Sequence, residues 1–168
     1  GDYDSHIEFI ELLYALKRCG KRVFAITSTH DYQDNGKTGC YLGDVKTEIP
    51  SAKRDELLKM YHSFGPDEAF SSYEMSYAVE LDKNYILLAL NSDKNGNGRS
   101  GYSDEHKDWI KSIAEAAKIC GKRVIAFTHH PRLSPCPIYS LIGKNDMTGD
   151  NDETRNFIAD VGISLVLT

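Results

Sequence analysis

The chain has 168 residues, 40% of them hydrophobic, enough to bury one sizeable core and to favour a single domain. Its 25 acidic and 20 basic side chains leave a net charge of −5 and are interspersed, with no block of Lys and Arg. This pattern excludes the electrostatic footprint of a nucleic-acid or anionic-membrane partner, and no apolar run approaches the roughly 20 residues that a bilayer-spanning helix needs.

The first predicted element is a helix over residues 7–19, where Phe9, Ile10, Leu12, Leu13 and Leu16 recur at helical spacing and Gly20 supplies the stop. Residues 22–27, rich in Val, Ile and Phe, read as a short buried strand. A second helix is expected over residues 51–64. Two strands, residues 76–81 and 85–90, flank the turn-like Asp82-Lys83-Asn84 and predict a hairpin. Trp109, Ile110, Ile113, Ala114 and Ala117 then mark another helix, stopped by Gly121, and residues 124–128 another strand. Residues 152–161 are expected to be helical, with Gly162 as stop, and residues 164–168 form a last apolar strand. Helices alternating with buried strands predict a layered α/β fold, and the hairpin predicts mixed strand direction.

One peptide occurs twice: Cys19-Gly-Lys-Arg-Val-Phe-Ala-Ile-Thr27 and Cys120-Gly-Lys-Arg-Val-Ile-Ala-Phe-Thr128. Each copy runs into polar residues, Ser28-Thr29-His30-Asp31 in the first and His129-His130-Pro131 in the second. Ser28 stands opposite His129, so the copies share a scaffold while supplying different groups. The four cysteines, Cys19, Cys40, Cys120 and Cys136, show no C-x-x-C pairing and no zinc-ribbon spacing. Cys19 and Cys120, at matched helix ends, are expected to be small, partly buried thiols.

Gly1-Asp2, the Ser28–Asp31 cluster and Thr128-His129-His130-Pro131 would meet if their strands are neighbours. A carboxylate and imidazoles converging on one sheet edge suit a divalent transition metal; the plainer reading is a set of loop histidines satisfied by their surroundings.

The order of these motifs resembles the calcineurin-like metallophosphoesterases. Gly1-Asp2 is followed by a helix and then by Thr29-His30-Asp31 in place of a Gly-Asn-His-Asp-like segment. A Leu90-Asn-Ser-Asp93 segment similar to the family's Leu-Asp-Ser and a much later His129-His130-Pro131 complete the series. The resemblance covers essentially the whole chain and implies an α/β/β/α sandwich with mixed sheets and the hydrolysis of a phosphomonoester or phosphodiester. It implies that Asp2 bridges two metals, that His129 is a metal ligand, and that Thr29 takes the place of a metal-binding Asn. His30 would be the general acid or electrostatic stabiliser beside the phosphate, with Asp31 orienting it, and His130 would contact substrate. Two divalent cations are implied, and imidazole ligation favours manganese, iron or zinc; they would lower the pKa of a bridging water and bind the phosphoryl oxygens. The family's Asp-x-His before Gly-Asp and its closing Gly-His-x-His are not in the sequence, so residues 1–168 are expected to be a single domain truncated at both ends and inactive alone. The alternative is a non-catalytic phosphate-binding or interaction domain with an impaired metal site.

A separate segment, from Asp93 through Asn95 and Asn97 to Asp104, matches the oxygen spacing of an EF-hand calcium loop with Gly98 at the sixth position and an acid at the twelfth. Ser100 at position eight and Asp104 in place of Glu depart from that pattern, and an Asn/Gly-rich turn accounts for the composition equally.

Overall fold

The computed structural model describes residues 1–28, 30–93, 100–131 and 151–168. They fall into two compact units, Gly1–Glu68 and Ala69–Thr168. Among them the architecture is mixed α/β, with four α-helices, a two-stranded sheet and a five-stranded mixed sheet.

The first unit opens with helix α1, Tyr3–Arg18. Asp2 starts it as N-cap, accepting a hydrogen bond from the Ser5 amide at 2.9 Å, the role its short carboxylate is suited to. His6, Ile10 and Leu13, at i, i+4 and i+7, form the buried stripe. The unit's apolar centre is Phe64, fully buried, with Tyr14 edge-on at 4.9 Å between ring centroids and Tyr61 at 6.2 Å. Strands β1 (Lys37–Leu42) and β2 (Val45–Pro50) make a hairpin whose Leu42 and Val45 pair across a two-residue Gly43-Asp44 loop. Gly43 has φ +64°, the left-handed conformation that such a tight turn demands at its first central position. Helix α2, Arg54–Met60, follows, and Pro66–Glu68 is a short 3₁₀ turn.

In the second unit the strand order is β3 (Ser71–Tyr73), β4 (Ser76–Glu80), β5 (Tyr85–Leu90), β6 (Arg123–Thr128), β7 (Leu165–Leu167). The first three strands are antiparallel, whereas β5, β6 and β7 run parallel. Helices α3, Asp104–Ile119, and α4, Asn151–Asp160, supply the crossovers' helical segments. The core joins Ala78, Ile86, Leu88, Leu90, Val124 and Ala126 of the sheet to Ile110, Ile113 and Ala117 of α3 and Ile158 of α4. These sheet positions alternate along each strand, as side chains on one pleated face must.

Two expectations need correction. Residues 22–27 are not a strand: their apolar content suits one, but they pair in no ladder, and the Ala25 amide donates to the Phe64 carbonyl at 2.8 Å in a loop contact. Cys19 and Cys120 are exposed, because each occupies the C-cap at the solvent end of its helix. The hairpin β1–β2 and the short strand β3 add to the predicted set.

The two copies of the repeated peptide do share a helix stop. In each, Gly takes a left-handed φ, +74° at Gly20 and +69° at Gly121. In each, the next amide reaches back five residues, Lys21 to the Leu16 carbonyl at 3.2 Å and Lys122 to the Ala117 carbonyl at 2.8 Å. Both are Schellman caps.

Candidate functional site

In the first unit, chain segments far apart in sequence meet around the His30–Asp31 loop. The Gly1 nitrogen donates to the His30 carbonyl, and the Ser51 hydroxyl donates to the Gly1 carbonyl at 2.7 Å. The loop closes on itself twice: the Asp31 amide donates to the Ser28 carbonyl at 2.8 Å, and the Asp31 carboxylate accepts the Ser28 amide at 2.7 Å. Asp31 therefore fixes the turn on which His30 sits, and the His30 ring is exposed. Thr29 lies outside the described residues.

Two further residues hold this loop and were not anticipated. His6, on the buried stripe of α1, lies with Nε2 2.7 Å from the Asp31 carbonyl and Nδ1 2.9 Å from the Tyr61 hydroxyl. A histidine among the apolar positions of an amphipathic helix was the available signal.

Asp2 lies next to the loop through Gly1, yet both its carboxylate oxygens serve the helix. One accepts the Ser5 amide and the other the Ser5 hydroxyl at 2.7 Å. These bonds, the hydroxyl's foremost, hold the carboxyl below the usual range. The buried Ser28 hydroxyl has no hydrogen-bond partner among the described residues.

In the second unit the polar groups stand at the carboxyl ends of β5 and β6, adjacent parallel strands, the edge at which α/β sheets present their working loops. His130 lies with Nδ1 2.6 Å from the Ser92 hydroxyl, and the His129 ring meets it edge-on at 5.0 Å between centroids. Ser92 is held in turn by its neighbours. The Asn91 amide donates to the Ser76 hydroxyl at 2.9 Å, and the Asp93 amide donates to the Asn91 side-chain carbonyl at 2.9 Å. His129 itself is exposed.

Asp2, His30 and Asp31 thus belong to the first unit, and His129 and His130 to the second. A carboxylate and an imidazole are suitable donors for manganese, iron or zinc. Among the described residues, no three His, Cys, Asp or Glu side chains form a group that could hold a metal ion. Of the suggested calcium loop, Asn95 and Asn97 lie outside the described residues. Asp93 is buried in a bridge to Ser100, and Asp104 opens α3, where its charge favours the helix N-terminus.

No described helix is long and apolar enough to cross a membrane. Compared with known proteins, the chain matches no family model and no curated sequence.

Proposed function

We propose that the chain carries the working groups of a metal-dependent phosphoesterase of the calcineurin-like type, built on an α/β/β/α sandwich. The observation that carries this reading is the hydrogen bond from the Gly1 nitrogen to the His30 carbonyl, which brings the Gly1-Asp2 motif to the His30–Asp31 loop inside one unit. In this reading the exposed His30 ring gives a proton to the leaving oxygen of the ester, and Asp31 keeps the loop closed around it. His130, its ring anchored by Ser92, contacts a phosphoryl oxygen. The resemblance makes Asp2, Thr29 and His129 the expected donors for divalent manganese, iron or zinc. Bound cations would supply a low-pKa water and neutralise phosphoryl charge.

The reading is tested on the intact protein by metal analysis and by hydrolysis of p-nitrophenyl phosphate and bis(p-nitrophenyl) phosphate. His30→Ala is expected to lower kcat by about 100-fold or more with metal content retained, whereas His129→Ala is expected to lower metal content itself. Equal metal loss in both variants would overturn this division of roles. A protein with no transition metal and no turnover on either ester would overturn the enzyme reading. It would leave the non-catalytic phosphate-binding domain, which the engagement of both Asp2 oxygens by Ser5 favours.

A further inference from the structure

We propose that His6, braced by Tyr61, is a positioning residue that fixes the backbone of the loop carrying His30. The inference deepens the proposed function, since it takes His30 as the group whose placement matters. Its grounds are the hydrogen bonds of the first unit.

Residues 21–36 contain no helix or strand among those described, so nothing repetitive holds their backbone. Tertiary contacts must do so instead. The carbonyls of two successive residues, His30 and Asp31, are both taken by the start of the chain, the first by the Gly1 nitrogen and the second by the His6 ring. His6 is only 7% exposed and lies on a helix already anchored by Ile10 and Leu13, so its ring is a rigid support.

The chemistry of the partners defines what the ring does. A carbonyl oxygen can only accept, so the His6 nitrogen facing Asp31, Nε2, carries the proton. In the neutral ring Nδ1 is then the acceptor of a hydrogen bond from the Tyr61 hydroxyl, 2.9 Å away. Burial, with the Asp31 charge as a lesser cause, pushes the Tyr61 phenol up to about 12, so it stays a donor at any ordinary pH. The two rings meet edge-on, 5.7 Å between centroids and 88° between planes, which leaves the imidazole little freedom to turn. Gly1 contributes by what it lacks: a Cβ there would lie 2.7 Å from His6 Nε2 and push the ring off the Asp31 carbonyl. Tyr61, at the C-cap of α2, thus reaches His30 through one ring and one turn of backbone.

The test reads the loop directly. Amide hydrogen exchange at Asp31, whose N–H closes the turn onto Ser28, is measured in the intact protein and in His6→Leu, His6→Gln and Tyr61→Phe. His6→Leu removes the donor and should speed exchange by roughly tenfold or more, as an opening loop does. His6→Gln, which places an amide N–H near the same point, should restore most of the protection. Tyr61→Phe deletes one hydroxyl and keeps the aromatic ring, so it decides the matter if His6→Leu fails to fold; faster exchange at Asp31 is expected there too. Unchanged exchange in Tyr61→Phe, or in a folded His6→Leu, would overturn the proposal, as would nitrogen NMR showing the neutral His6 ring protonated at Nδ1. On phosphoester substrates, His6→Leu should lower kcat by about tenfold to 100-fold through misplacement of His30. KM and metal content should stay unchanged, and His6→Gln should recover most of the loss. If the parent protein hydrolyses neither ester, the functional reading falls while the exchange measurements still decide the role of His6.

Discussion

Leu88→Ala is expected to destabilise the Ala69–Thr168 unit by about 2–5 kcal/mol, near the top of that range. Leu88 is wholly buried on β5, the middle strand of the sheet. Its register partners are Ala78 on β4 and Ala126 on β6, both wholly buried and both too small to move into the space left behind. The cavity would open within the cluster shared with Ile110, Ile113 and Ile158, where the helices that pack on the sheet are attached. Rigid strands on either side prevent the collapse that softens such changes at a surface. Trp109, the chain's only tryptophan, is in this unit, so urea unfolding followed by its fluorescence measures the loss. A change below about 1 kcal/mol would mean that the packing described for β5 is wrong.

The second large effect is a dependence on acid. His106 is 7% exposed, and burial pulls its pKa down to about 4 from the ordinary 6.5. It is enclosed by aromatic rings: Tyr73 stacks on it at 4.7 Å, Tyr102 meets it edge-on at 4.9 Å, and Trp109 lies 5.7 Å away. Its Nε2 has no hydrogen-bond partner among the described residues, so no acceptor compensates a proton there. Well above pH 6.5 the ring is neutral in both folded and unfolded chains and adds no pH dependence. As pH falls from 6.5 to about 4 the unfolded chain binds a proton that the folded unit refuses, and stability drops by about 1.4 kcal/mol per pH unit. The whole loss from this group is on the order of 3 kcal/mol, complete near its folded pKa. His106→Phe keeps an aromatic ring in the stack and removes the proton site. The difference in unfolding free energy between His106→Phe and the parent should therefore change in favour of the variant from pH 7 to pH 4, again read through Trp109. A difference that stays flat across that range would disprove the burial argument.

How far the sequence could be read depended on whether an element's cause was local. Helices α1, α3 and α4 and the β4–β5 hairpin were legible because their apolar spacing and glycine stops lie within the segment itself. The β1–β2 hairpin was missed because most of its side chains face solvent, so no alternation marks it. Its signal was the Gly43-Asp44 pair between Leu42 and Val45. At the site, Gly1-Asp2 and the His30 loop were expected to meet through neighbouring strands, and they meet instead through a loop, since residues 22–27 form no strand. The supports of that loop were not legible, because Tyr61 and His6 are brought together by the packing of α1 against α2's C-cap, which no stretch of sequence encodes by itself.

Seven of the nine residues in the repeated Cys-Gly-Lys-Arg-Val-x-Ala-x-Thr peptide are identical, yet only the second copy enters a sheet. What the shared letters determine is one left-handed glycine and the hydrogen bond behind it. The strand after Gly121 exists because Leu88 and its neighbours offer β6 a ladder, and the first copy has no such offer among the described residues. A match of this length therefore carries information about how a helix terminates and almost none about what comes next. Transplanting the first copy into the second position should give a strand there, which makes the two peptides exchangeable parts whose conformation is decided by their address.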